Sequence, residues 1–344
     1  MSAKTSETPV TFVSSLLQKL GKEEGIPVEL EPTWGYVGQI TRIDGSKTYF
    51  RGTNFDLNGL GSTEIATDKG YAAYFLDKEG YRVIEGKTFY SPEFCDALKS
   101  NDNLEAAYQY AKEIGLPVVV KPNSLSQGRG VCVVNDKKGF LRAVRYICKS
   151  DRVFLVQRLI QGHDYRVVVL DGEVLSAYER LPLAVTGDGV SNIDQLLDLK
   201  QLEFEASKRD TVLKKDDFRI TARLRRLGLS RKSVLPAGKK LALLDNRNLS
   251  TGGESVDVTS NIDPAFRKLC VKITQAMGLR YCGVDLMVDD DIQKPLSSQN
   301  NYVIIEINAA PGVDNYAKSG SAQMLIVAEM YRKILHALAK PLKT

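Results

Sequence analysis

Histidine is scarce in this chain of 344 residues: only His163 and His336 occur, too few for the imidazole-rich set that a zinc site usually draws on. Cysteine is sparse too. Cys95, Cys132, Cys148, Cys270 and Cys282 form no CxxC pair, and their mostly apolar or helical contexts read as reduced, packed thiols. No apolar run approaches the ~20 residues that cross a bilayer, and the N-terminus lacks a signal-peptide core. The expectation is a cytoplasmic protein with no membrane partner. The basic excess is small, +5 at pH 7. That is too little to argue for nucleic acid, and it suits an anionic small-molecule ligand. The pattern GxxxxGKS/T is missing, so a Walker-type phosphate loop is not supported. Internal repeats and low-complexity tracts are missing as well. What remains is ordinary globular composition, 43% hydrophobic and 26% charged. The length supports two or three subdomains with a sizeable core.

Residues 303–312 organise the rest. Their β-branched start favours a strand, and Pro311-Gly312 ends it. Glu306 and Asn308 are two apart, so on a strand they share a face, while Ile305 and Ile307 turn to the other. Residues 283–288 form a second short apolar strand with one carboxylate, Asp285. If the two strands pair, Asp285, Glu306 and Asn308 converge. Two carboxylates and an amide oxygen are hard ligands of the kind Mg²⁺ requires. Taken alone, the same residues read equally well as a polar strand face meeting solvent.

Residues 1–9 are polar and expected to fray. A helical period through Phe12, Val13, Leu16, Leu17 and Leu20 closes at Gly21. Residues 26–66 alternate short strands with turns, and 48–56 read as a hairpin packing aromatics. Asp68-Lys69 opens a helix over 70–78, followed by a strand at 81–83. Asn101 or Asp102 caps a helix over 104–114. Residues 118–122 form a buried strand carrying Lys121, and 131–134 return as its hairpin partner. The glycine-containing tip between them, 123–130, can lay backbone N–H groups on phosphates. A helix covers 139–149. Residues 153–160 are a strand running into a linker, with the apolar walls and backbone edge an adenine needs. Strands on either side of the tight Asp171-Gly172 turn carry Arg166 and Arg180. Residues 199–233 are charge-rich and helical in pattern, and the basic run 223–232 reads as a solvated helix face. Asn248 opens a small-residue loop, Asp263-Pro264 opens a helix to Met277, and 321–338 form a closing helix.

Asp68-Lys69 and residues 118–130, 157–166, 283–285 and 303–312 occur in the order seen in ATP-grasp ligases. Over roughly residues 66–338 the chain resembles that superfamily, most nearly the ATP-grasp region of cyanophycin synthetase. Glutathione synthetase and D-alanine–D-alanine ligase resemble it more distantly. Residues 185–189, 235–238 and 248–259 add to the likeness. The resemblance implies an α+β (α/β) class and the ATP-grasp fold, two α+β subdomains gripping ATP plus a small N-terminal subdomain. Residues 1–66 would be that N-terminal substrate or accessory subdomain, and 67–338 the ATP-grasp domain. Within it, about 118–162 would be the lid-bearing central part and 163–338 the C-terminal part, with 339–344 a tail.

By the same resemblance, Lys69 and Lys121 reach the nucleotide phosphates, and Gly128 and Gly130 belong to the mobile loop above them. Gln157, Leu159 and Ile160 hold the adenine edge, and Asp164 the ribose. The family usually has Glu where Gln157 stands, and Gln can still accept from the adenine amino group. Asp285, Glu306 and Asn308 match ligands of Mg²⁺ (or Mn²⁺). Arg166 and Arg180 match arginines that hold an acyl phosphate or a substrate carboxylate. The implied reaction joins a small-molecule carboxylate to an amine, such as an amino acid or short peptide. It consumes ATP, passes through an acyl phosphate and releases ADP and phosphate; a homo-oligomer is compatible with it. Cyanophycin synthetase carries a further C-terminal domain with its own P-loop and a longer N-terminal part, which these 344 residues lack. A stand-alone ligase making one amide bond is therefore the simpler expectation. A phosphotransferase and a non-catalytic nucleotide-binding protein are the alternatives, because fold does not fix function.

Overall fold

The computed structural model describes residues 11–207, 209, 211–296 and 301–341. The expected fraying of residues 1–9 and the end of the 339–344 tail lie outside that set. Helix α1 (Phe12–Glu24) starts at a Thr11 cap and does not stop at Gly21. That glycine sits inside the helix because the returning chain crosses it. A Cβ there would lie 2.6 Å from both Ile26 O and Val28 Cγ2. The stop is Gly25, at φ 68°. Strands β1 (Val28–Leu30), β2 (Val37–Thr41), β3 (Lys47–Arg51) and β4 (Asn54–Phe55) then pair as an antiparallel meander.

Helix α2 (Leu60–Thr67) was not expected, since its Gly, Ser and Thr residues are weak helix formers. It forms because Ile65 and Ala66 pack into the main core. Helix α3 (Lys69–Lys78) opens on Asp68, whose side chain accepts from Tyr71 N. The strand expected at 81–83 is reduced to one parallel bridge between Val83 and Ile304. A strand forms instead at β5 (Gly86–Tyr90), where an irregular polar sequence gave no periodic signal. Next come α4 (Pro92–Leu98) and α5 (Leu104–Glu113). The cap of α5 is Asn103, neither Asn101 nor Asp102, and it accepts from Glu105 N and Ala106 N. Strands β6 (Val118–Pro122) and β7 (Cys132–Val134) make the expected hairpin, and α6 (Lys137–Ile147) starts two residues early on an Asp136 cap.

The chain continues through β8 (Val153–Arg158), β9 (His163–Leu170), β10 (Glu173–Leu181) and β11 (Ala184–Thr186). Helices α7 (Ile193–Ala206) and α8 (Phe218–Arg226) lead to β12 (Lys240–Ala242) and β13 (Glu254–Asp257). It ends with α9 (Pro264–Ala276), β14 (Tyr281–Val288), β15 (Tyr302–Asn308), α10 (Asp314–Ala317) and α11 (Ser321–Ala339).

Two antiparallel sheets carry the architecture. The smaller runs β5-β8-β6-β7 and packs Phe89, Val120 and Phe154 against α5 and α6. It reaches back to β5, well upstream of residue 118. The larger runs β13-β10-β9-β14-β15. One of its faces is covered by α2, α3 and α9, the other by α1, α11 and the N-terminal meander. A small cluster of leucines holds α7 and α8 against β11 and β12. Burial pushes the Cys132 and Cys282 thiols up to about 12, which fits packed, unreactive sulfur. Among the described residues no helix is long and apolar enough to cross a membrane.

Candidate active site

Strand β14 lies between β9 and β15 and is antiparallel to both. Its register sets Asp285 beside Arg166 on one neighbour and Glu306 on the other. The β9–β10 hairpin turns at Asp171 and Gly172, φ 47° and 86°, and sets Asp164 beside Arg180. Asp285 is 0% exposed. Its Oδ1 accepts from Arg166 Nε, and its Oδ2 lies 2.9 Å from both Arg166 Nη2 and Arg180 Nη2. Arg180 also donates from Nε and Nη2 to Asp164 Oδ1, at 2.9 and 2.6 Å. Two acids and two guanidiniums thus alternate in a buried, balanced row. Burial works against charge on both arginines, but the carboxylates raise their pKa values and keep them cationic. Burial pushes the Asp164 carboxyl up, against the pull of Arg180.

On the facing side, Lys121 projects from β6 and Lys69 from the first turn of α3. Lys69 Nζ donates to Asn123 O at 3.1 Å and Leu125 O at 2.8 Å, and stands 3.8 Å from Glu306 Oε2. Asn123 in turn bonds Asp68 Oδ2 and Gly70 N, so the start of α3 is tied to the root of the glycine loop. Burial lowers the Lys121 ammonium from 10.5 to about 8, although Glu306 pulls the other way. Burial alone would raise Glu306, yet Lys69, Lys121 and both arginines hold it at about 2. Asn308 Nδ2 approaches Glu306 Oε1 at 3.4 Å.

The loop after β6 bends through Gln127, Gly128 and Gly130, at φ 60°, 66° and 73°. Gly128 rests on a second loop: a Cβ there would sit 2.3 Å from Asn248 Oδ1 and 2.4 Å from Asn246 Nδ2. Arg219 of α8 donates to Gly128 O at 2.8 Å, and Ser250 Oγ to Gln127 O at 3.4 Å. The basic run 223–232 is therefore not simply a solvated face. Arg223 and Arg226 turn inward and share Asp245, while Arg225 stays exposed.

Between the sheets lies a cavity of about 270 Å³. Lys69, Lys121, Asp164, Arg180, Asp285 and Glu306 line it, as do Gly128, Gln157, Leu159 and Ile160. Gln157 is buried on β8 opposite Gly86, whose missing side chain leaves it room, since a Cβ would come within 2.4 Å of Gln157 Cγ. Arg166, Gly130 and Asn308 lie outside the lining: Arg166 is engaged by Asp285, Gly130 packs against Pro122 and Ile147, and Asn308 pairs with Gly283. The lining also includes Arg223, Asp245, Asn246 and Arg247, which sequence reasoning did not single out. Asp245, Asn246 and Arg247 come from a segment with no period or motif of its own, next to the 248–253 run that did give a signal, while Arg223 belongs to the basic run read as a solvated helix face. Among the described residues no three His, Cys, Asp or Glu side chains cluster as a metal site. A hard cation would instead use Glu306 and the Asn308 amide oxygen. Asp285 adds a free lone pair only on Oδ1, which accepts from Arg166 Nε alone, since Oδ2 already faces both guanidiniums. Such a donor set suits Mg²⁺.

Residues 245–334 match the RimK-like ATP-grasp domain family, and residues 89–202 match the D-ala D-ala ligase C-terminus family. The glutathione biosynthesis bifunctional protein GshAB of Streptococcus agalactiae is 30% identical over 264 residues, which is 74% of this chain and 35% of that protein. The cyanophycin synthetase of Trichormus variabilis is 33% identical over 267 residues, 76% of this chain and 28% of that one. The chain thus spans well under half the length of these curated relatives. Among solved structures, a bifunctional glutathione synthetase from Pasteurella multocida aligns with a TM-score of 0.58 and 23% identity, over 96% of this chain and 45% of that one. At that identity the likeness speaks for the fold.

Proposed function

Because this chain belongs to the ATP-grasp superfamily, we propose that it is an ATP-dependent carboxylate–amine ligase. It would activate a carboxylate as an acyl phosphate, pass the acyl group to an amine, and release ADP and phosphate. The supporting observation is that Lys69, Lys121, Arg180, Asp285 and Glu306 line one cavity between the two sheets. Phosphoryl transfer asks for charge neutralisation and alignment more than for covalent help, and this set offers both.

Gln157, Leu159 and Ile160 stand where an adenine edge would meet apolar walls. Asp164 keeps Oδ2 clear of Arg180 and can accept from a ribose hydroxyl. Lys69 and Lys121 face the phosphates from the lid side. Mg²⁺ (or Mn²⁺), held by Glu306, Asn308 and Asp285, would supply further neutralisation at the same oxygens. Arg180, held by Asp164 and Asp285, adds positive charge to the same lining and would meet an acyl phosphate's oxyanions. The glycine loop, closed on the 246–251 segment, keeps water from that reactive species.

Hydroxylamine tests this reading. With ATP, Mg²⁺ and a panel of amino acids and short peptides, but no other amine, ADP release should be accompanied by an acyl hydroxamate. A stable phosphate ester formed on a hydroxyl substrate, with no hydroxamate from any acid, would replace the ligase by a phosphotransferase.

A further inference from the structure

Strand β7 is an edge of the smaller sheet, and an edge strand presents carbonyls and N–H groups that the sheet itself does not pair. Helix α8 covers this edge. Arg219 Nη1 donates to Gly128 O at 2.8 Å and to Val131 O at 3.4 Å, and Arg226 Nη1 donates to Val133 O at 3.3 Å. Two guanidiniums thus take carbonyls along the edge, much as a neighbouring strand would. Beside them Phe218 packs against the core of the smaller sheet and meets Tyr146 of α6, with ring centroids 5.2 Å apart.

The other side of α8 is fixed elsewhere. Ile220 and Leu224 belong to the leucine cluster with α7, β11 and β12. Arg223 donates from Nε to Ala242 O at 2.7 Å, and Arg223 and Arg226 share Asp245. Arg226 therefore touches both sides, Val133 through one nitrogen and Asp245 through another. Arg219 is aimed by its ion pair: Nε and Nη2 are spent on the Asp217 carboxylate at 2.7 to 3.0 Å, which leaves Nη1 for the loop. The β6–β7 loop is thus held twice. Lys69 takes Asn123 O and Leu125 O at its root, and Arg219 takes Gly128 O at its tip. Arg225 of the same helix is exposed, and among the described residues its side chain has neither a hydrogen bond nor an ion pair. Helix α8 falls between the two matched family regions, 89–202 and 245–334.

We propose that α8 is a latch: Arg219 and Arg226 hold the smaller sheet and its glycine loop over the cavity, and the loop opens by releasing those carbonyls. Arg219 is then a positioning residue. It acts through Gly128, which lines the cavity, and is not itself part of the lining. That the cavity takes a nucleotide rests on the proposed function; the hold of α8 on the hairpin does not.

Hydrogen exchange read by mass spectrometry on the full chain, without nucleotide, tests the latch. Wild type is compared with Arg219→Gln, Arg219→Lys and Arg226→Gln, and Arg225→Gln is the control. In Arg219→Gln the amides of residues 124–134 should exchange on the order of 10-fold faster, while those of α9 and the melting temperature stay as in wild type. Arg219→Lys, which keeps the charge and loses the fork, should fall between the two. Arg226→Gln should quicken the same segment, and Arg225→Gln should match wild type. In a calorimetric titration with Mg²⁺ and a non-hydrolysable ATP analogue, Kd should rise several-fold in Arg219→Gln and not in Arg225→Gln. Unchanged exchange at 124–134 in both Arg219→Gln and Arg226→Gln would overturn the proposal. So would faster exchange across the whole chain with a lowered melting temperature, which would make α8 a structural brace. Faster exchange confined to 124–134, in a protein whose wild type binds no nucleotide analogue, would remove the nucleotide reading and leave the latch standing.

Discussion

Lys121 carries its charge at 5% exposure, and its lowered pKa of about 8 measures the cost of that position. Below that value the folded and unfolded chains both hold the proton. Between about 8 and 10.5 the unfolded chain binds a proton that the folded chain has lost, so this group makes stability rise with pH across that window. Its effect on function has the opposite sign. A neutral amine attracts no phosphate, so kcat/KM for ATP should fall as pH rises through about 8, measured as ADP release. Lys121→Arg, charged throughout, should remove that limb. Lys121→Ala should lose ~2–4 kcal/mol of transition-state stabilisation at neutral pH. Glu306, held at about 2, is ionised across the whole range and cannot be the source of the limb. A flat profile in wild type would take Lys121 away from the phosphates.

At the scale of an element, the β6–β7 hairpin is where conformation bears on the proposed chemistry. Its tip can lie on the 246–251 loop because Gly128 adopts φ 66° and has no side chain where Asn246 and Asn248 press close. Gly128→Ala meets both obstacles: the left-handed backbone costs about 1–2 kcal/mol for a residue with a Cβ, and that methyl collides with Asn248 Oδ1. The hairpin strands are untouched, so the cost should fall on the loop alone. ATP turnover should fall on the order of tenfold, more in kcat than in melting temperature, which should hardly move. Equal losses in stability and turnover would instead make the loop a structural brace. The hairpin and its glycines are legible in the chain. The surface it lands on is only partly so: the run from Asn248 gave a signal, but Asn246 and Arg219 are ordinary loop and helix residues until the fold brings them to the loop.

Across the whole molecule, one asparagine ties the N-terminal segment to the strands that bear the site. Asn58 Nδ2 donates to Tyr281 O at 2.7 Å and Ala309 O at 3.0 Å, and its Oδ1 accepts from Arg280 N and Tyr281 N. Ala309 directly follows Asn308, and the next carbonyl, Ala310 O, accepts from Thr53. The meander and α11 also share one apolar cluster with the back of the larger sheet. Residues 26–58 are thus built into the main body rather than set beside it. Asn58→Ala leaves backbone groups of three residues without partners and should cost ~2–4 kcal/mol, read as a lower denaturant midpoint with an unchanged slope. A change within error would mean that water replaces all of these bonds.

Local patterns determined much of this protein. The two-residue spacing of Glu306 and Asn308, the Asp68 cap, the Asp263-Pro264 start and the Asp171-Gly172 turn each act within a few residues, and each element forms where its pattern places it. Such signals say which face a side chain takes and where an element begins. They do not say what will stand opposite. Asp285 lies between Arg166 and Arg180 only because β14 pairs with β9 across 119 residues of sequence. Arg223 and Arg226 are inward cations only because Asp245 returns beneath α8. Gly21 continues a helix only because Val28 packs over it. Conformational preference is a short-range property of the chain. Charge pairing, close packing and the cover that α8 gives the edge of β7 depend on which distant segments meet, and tertiary structure alone decides that.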